Sequence, residues 1–143
     1  MLFLLVGCAG GGSTDPDEIM IQAIADSIKT AMENKDVDMF MTNISLNYSD
    51  STGGTYESIR TMAQSIVSQL EAAEEMAGSS VVNLVISSSI SNLTVLGSTA
   101  NSDLELTISA KVLFFTVYSE DRTFETIFQK EGTNWKIISM MEI

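Results

Sequence analysis

Histidine is absent from this chain, and cysteine occurs once, as Cys8. An imidazole base within the chain is therefore excluded, and so is a Cys/His zinc site. A lone cysteine also permits no intrachain disulfide. What remains for proton chemistry is a carboxylate paired with a phenol. A carboxyl group isolated in an apolar pocket has a raised pKa and can accept a proton from carbon, with a tyrosine hydroxyl nearby as donor. Tyr48, Asp50, Tyr56, Asp103 and Tyr118 are the residues that could supply such a set. Tyr48 and Asp50 lie in a polar stretch where ordering the loop is the more ordinary task. Tyr118 precedes Ser119-Glu120-Asp121 and reads as a strand-end residue near a turn. Trp135, at a strand start, reads as a core anchor ahead of a ligand platform. The methionines Met32, Met39, Met41, Met62 and Met76 fall on or near helical apolar faces, where Met fills gaps in cores. No metal site and no cofactor is expected.

These residues depend on the elements that carry them. Asp15-Pro16-Asp17-Glu18 has the pattern of a helix start, with a capping aspartate and proline at the first helical position. Ile21, Ile24, Ile28, Ala31 and Met32 then recur at helical spacing, which predicts a helix over about 16–34. Val37, Phe40, Met41 and Ile44 predict a short second helix entered near Asp36. The polar stretch 45–55, with Gly53-Gly54, predicts a loop or small hairpin. Thr55 is the next candidate cap, and Ile59, Met62, Ile66, Leu70, Ala73 and Ala77 predict a helix over about 56–77, stopped by Gly78.

From Val81 the period changes to two. Val82, Leu84, Ile86 and Ile90 share one parity, while Leu93 and Val95 take the other, so a bulge near Ser91-Asn92 is expected. Leu104, Leu106, Ile108, Ala110, Val112 and Phe114 form a second strand, and Phe124, Thr126 and Phe128 a third. Trp135, Ile137, Ser139, Met141 and Ile143 form the last, after a turn at 130–134. Between Lys111 and Tyr118 both parities are apolar, which calls for cover on both faces. Helices first and antiparallel strands afterwards indicate an α+β fold.

Composition narrows the partners. With 143 residues, 45% of them apolar, the chain is one folded domain. The net charge of −12 repels a phosphate backbone, so nucleic acid is not an expected partner. The same acidity favours solubility.

The opening Met1-Leu2-Phe3-Leu4-Leu5-Val6-Gly7-Cys8-Ala9-Gly10 is an apolar run ending in a small residue and a cysteine. Leu5-Val6-Gly7-Cys8 resembles the lipobox of bacterial lipoproteins. The resemblance implies diacylglyceryl transfer to Cys8 and cleavage before it. Residues 1–7 would then be a signal peptide, truncated at its start, since no Lys or Arg precedes the apolar run. Seven helical residues reach only about 10 Å, too short to span a bilayer core. Acyl chains on one cysteine do hold a protein at a membrane. Residues 8–15, with the glycine run 10–12, would form the lipidated cysteine and flexible tether. The expected location is extracytoplasmic and lipid-anchored, at the cell membrane or outer membrane. Ala9, in place of aspartate, favours the latter.

Residues 16–143 resemble the nuclear-transport-factor-2-like superfamily, the cystatin-like α+β cone that includes SnoaL-like and ketosteroid-isomerase-like proteins. Three stretches carry the resemblance: residues 33–40, residues 44–50 with Gly54, and the final hairpin Phe128-Gln129-Lys130-Glu131-Gly132 with Trp135-Lys136-Ile137. The resemblance implies one domain in which N-terminal helices pack on a curved antiparallel sheet of about four long strands. It also implies a pocket at the open end and, in many members, a homodimer through the outer sheet face. The candidate pocket residues are Tyr48, Asp50, Tyr118 and Trp135, with no catalytic assignment. Fold does not choose a function. The expected role is a non-catalytic binding or interaction module for a small apolar ligand or a protein. The alternative is an isomerase- or dehydratase-like enzyme using a pocket carboxylate and tyrosine.

Overall fold

The computed structural model describes residues 15–77, 82–112 and 115–143. Cys8, its tether and Gly78 lie outside them. So do the side chains of Val112, Phe114, Val117 and Tyr118, and with them the run that is apolar on both parities.

Three helices precede four strands: α1 Pro16–Glu33, α2 Val37–Met41, α3 Tyr56–Ala77, β1 Val82–Leu96, β2 Thr99–Val112, β3 Phe115–Glu131 and β4 Asn134–Glu142. Asp15 caps α1 by accepting from the Asp17 N–H (2.9 Å), and Pro16 follows it where no donor is needed. The helix ends without a glycine. Lys35 takes the left-handed conformation (φ 54°), and Asp36 N–H returns to Ala31 O at 2.8 Å while Lys35 N–H returns to Met32 O at 3.1 Å. This is a Schellman closure. Asp36 immediately caps α2 through the Met39 N–H (2.9 Å). At α3 the pairing is reciprocal: Ser58 N–H donates to Thr55 Oγ1 (3.4 Å) and Thr55 N–H to Ser58 Oγ (3.2 Å).

The strands form one antiparallel sheet in the order β1-β2-β3-β4. Gly97 and Gly132, both at φ 63°, open the short turns β1–β2 and β3–β4, where a positive φ is required. Ile86, Ile90, Leu104, Ile108, Phe124, Phe128 and Ile137 line the inner face and bury themselves under the helices with Ile21, Ile24 and Ile28 of α1. None of the described helices is long and apolar enough to cross a membrane.

The bulge expected in β1 is present. The register with β2 shifts between Ser91 and Thr94, Asn92 takes φ 53°, and its Nδ2 donates to Asp103 Oδ2 (2.8 Å). The unbroken parity expected for the last strand is not. Phe128 faces Ile137 while Ile127 faces Ser139, so Ile138 is an extra residue without a partner. The parity of β4 flips there: Met140 is buried, and Met141 and Ile143 are exposed, in place of the inward Met141 and Ile143 read from the sequence.

Candidate functional site

The helices do not close fully on the sheet. Between them lies a crevice walled by Ile28 and Met32 of α1, Phe40 of α2, Met62, Ala63 and Ile66 of α3, and Leu104, Leu106, Ile108, Phe124 and Met140 of the sheet. About 600 Å³ there is unfilled by protein atoms, part of it open to solvent, yet only about 30 Å³ is wide enough to centre a water molecule. The space is thus extensive but narrow. Such a shape admits an unbranched chain more readily than a fused ring system.

Two charged side chains reach the same wall, Glu120 and Arg122. The register explains why: Ile108 pairs with Glu120, Leu106 with Arg122 and Leu104 with Phe124, so all six share the inner face. The Arg122 guanidinium is bonded to Glu120 through Nε and Nη2, and its Nη1 lies 3.9 Å from Glu142 Oε2. Neither residue belonged to the candidates read from the sequence. The signal was available: Phe124, Thr126 and Phe128 set the inward parity, and counting back by twos meets Arg122 and Glu120. Opposite Leu106 on β1, Ser88 has its Oγ buried with no hydrogen-bond partner.

The sequence candidates are placed elsewhere. Tyr48 and Asp50 are brought together, but neither lines the crevice. The Tyr48 hydroxyl donates to Asp50 Oδ2 (2.9 Å) and accepts from the Met140 N–H (3.0 Å). Asp50 Oδ1 accepts from Thr52 Oγ1 (2.7 Å), Thr52 N–H (2.9 Å) and Gly54 N–H (2.8 Å). The Thr52 hydroxyl bond, followed by the Gly54 N–H, pulls the Asp50 pKa down to about 2. Burial, then the bond to the carboxylate, pushes the Tyr48 phenol upward. Asp50 is therefore held as an anion and Tyr48 as a neutral phenol, the reverse of a poised base. A Cβ on Gly54 would collide with Asp50 Oδ2, so the loop is built around this carboxylate.

Trp135 is buried as an anchor, and its Nε1 donates to Asp17 Oδ1 (3.0 Å). Lys130 Nζ reaches the same oxygen (2.8 Å) and stands 6.0 Å from the Trp135 ring centroid. The Lys130 bond first, then that from Trp135, holds the Asp17 carboxyl below its ordinary pKa. One side of Trp135 also borders a shallow groove with Met20, Ile24, Thr42 and Lys136. Tyr118 pairs with Ala110 through its backbone. Tyr56 and Asp103 are likewise apart, Tyr56 accepting from Arg60 Nη2 (3.3 Å) on α3 and Asp103 bonded to Asn92 on the sheet. Among the described residues no group of three or more acidic or thiol side chains could hold a metal ion.

No protein-family model matches the chain, and no curated protein matches it in sequence. Solved structures do match. An NTF2-like protein with a cystatin-like fold from Novosphingobium aromaticivorans superposes with a TM-score of 0.61 at 14% identity, over 88% of this chain and 80% of that one. An NTF2-like protein from Cytophaga hutchinsonii gives 0.56 at 15% identity, over 90% and 99%. A cystatin-like domain from Nostoc punctiforme gives 0.57 at 14% identity, over 91% and 78%. At such identities the likeness speaks for architecture alone. With three helices laid on a curved four-stranded antiparallel sheet, the chain has the NTF2-like, cystatin-like fold.

Proposed function

We propose that this chain is a lipid-anchored protein of the cell envelope whose domain is a non-catalytic binding module for a slender, unbranched apolar ligand. One observation carries the reading: the crevice is walled by aliphatic, methionine and phenylalanine side chains, and its two charged members are spent on each other. A wall of that kind gains affinity by removing apolar surface from water, at about 25 cal/mol per Å².

Titration with the neutral, linear fluorophore 1,6-diphenyl-1,3,5-hexatriene, followed by displacement with straight-chain alcohols of increasing length, tests it. Displacement should strengthen with chain length. Ala63→Phe, which fills the crevice from α3, should weaken dye binding by at least about tenfold, or ~1.4 kcal/mol. Equal binding by this variant would remove the crevice from consideration.

The anchor rests on the Leu5-Val6-Gly7-Cys8 pattern. Cys8→Ser is expected to block acylation and move the protein from the membrane to the soluble fraction of lysed cells. Unchanged fractionation would exclude the lipid. A second reading, an isomerase- or dehydratase-like enzyme, is favoured by Glu120, the one carboxylate in the described wall. Deuterium uptake from solvent next to the carbonyl of small enones, lost in Glu120→Gln, would establish it.

A further inference from the structure

The sheet has two edges, and they are finished differently. Along β4, Asn43 O accepts from Ile137 N–H (2.8 Å), Ser45 N–H donates to Ile137 O (2.9 Å), Ser49 N–H donates to Ile138 O (3.0 Å), and the Tyr48 hydroxyl takes the Met140 N–H. The segment after α2 thus stands in for a fifth strand. β1 pairs with β2 on one side, and no described strand lies on the other.

An open edge is a template for another strand, and sheets usually blunt it with charge, proline or a bulge. The 15 residues of β1 include no Asp, Glu, Lys, Arg or Pro. Every other strand carries charged residues. The bulge at Asn92 interrupts only the end of the edge and leaves the stretch 82–91 regular. On the outer face of this stretch, Val85 is 48% exposed, and Ser87 and Ser89 are exposed with it.

The charge of the molecule selects the occupant. Two copies meeting through their outer sheet faces would bring two sets of Asp103, Glu105, Asp121 and Glu125, against which each face sets Lys111, to the roughly 10 Å spacing of packed sheets. Asp103 and Glu125 already face each other across β2 and β3. Two copies meeting edge to edge through β1 place their nearest charged strands, β2 and its mate, three strand spacings apart. That is about 14 Å, beyond the Debye length of about 8 Å at physiological salt. For a chain of net charge −12, the uncharged edge is the contact at which a like-charged copy meets least repulsion.

We propose that β1 is a self-association edge, to which a second copy of this chain adds its own β1 antiparallel, joining the two sheets into one. Sedimentation velocity on the full chain carrying Cys8→Ser, so that no lipid drives association, tests this. The expected species has twice the 15.5 kDa chain mass. It should persist unchanged as salt falls from about 500 to about 150 mM, because over that range the nearest charged strands stay farther apart than the Debye length of about 8 Å or less. Ser87→Lys with Ser89→Lys should weaken the dimer by at least about tenfold, as edge lysines do, with circular dichroism unchanged. With Cys8→Ser as the sole substitution, amide hydrogen exchange over 82–91 should slow as protein concentration rises. A monomer at about 100 µM, a value well above that of specific complexes, would overturn the proposal. So would concentration-independent exchange in β1, or a dimer that forms only at high salt and ignores the lysines, since that behaviour belongs to the outer face.

Discussion

Phe128→Ala is expected to cost about 3–5 kcal/mol of stability, a large share of the roughly 5–15 kcal/mol that a domain has in total. Phe128 is fully buried, and its strand neighbours across the sheet are Ala100 and Ile137, both buried as well. It sits on the inner face of the sheet between β2 and β4, so the emptied volume is fenced by backbone on the sheet side and cannot collapse far. Urea denaturation should show a lower midpoint with an unchanged slope. A loss below about 1 kcal/mol would place the centre of the core elsewhere.

Tyr48→Phe is the second large effect, and it works through polar groups. The hydroxyl satisfies the buried Met140 N–H and donates to Asp50. Removing it leaves that N–H without a partner, at about 1–3 kcal/mol. The acid limb of stability should change with it. The folded Asp50 pKa, about 2, lies below the ordinary 3.8, so the carboxylate stabilises the fold above pH 3.8. That contribution fades as pH falls through about 2, because the unfolded chain takes up the proton first. Denaturation midpoints measured from pH 5 down should therefore fall in the wild type over that window. In Asp50→Asn the fall should flatten, and in Tyr48→Phe, which lacks one bond to the carboxylate, it should be smaller and end at higher pH, because the folded pKa rises toward the unfolded one. Three superimposable acid curves would assign the loop no part in stability.

The period of the apolar residues was enough to read the helices and the succession of strands. Ile21, Ile24 and Ile28 are spaced for one helical face, and Leu104 and Ile108 for one strand face, and those faces are the buried ones. The bulge at Asn92 was legible because two apolar parities meet there. The bulge at Ile138 was not, because Ser139 and Met141 keep an acceptable alternation on paper. Only the hydrogen bond from Ser49 N–H to Ile138 O explains why the chain spares a residue there. The Lys35 turn escaped for a related reason: the left-handed residue is not glycine, and two backbone bonds enforce it. At the candidate site, residue chemistry drew attention to Tyr48 and Asp50, which fold onto each other and shape a loop. Glu120 and Arg122 look like surface charges by residue type, although the parity set by Phe124 and Phe128 already carries them to the inner face, where the register places them.

The bond network around Asp17 bears on the order of folding. This residue, in the first turn of α1, is held by Lys130 and Trp135, 113 and 118 positions further along the chain. The strand-like segment at 43–50 likewise waits for β4, some 90 residues away, as the Tyr48–Met140 separation of 92 shows. Contacts this distant must bear the loop-closure entropy of the whole intervening chain before they form. A ribosome or translocon that has not yet released the last hairpin therefore holds a polypeptide whose first helix lacks its Asp17 partners and whose segment 43–50 lacks the strand it pairs with. For a chain proposed to cross a membrane before it folds, that delay keeps it threadable until its final strand arrives.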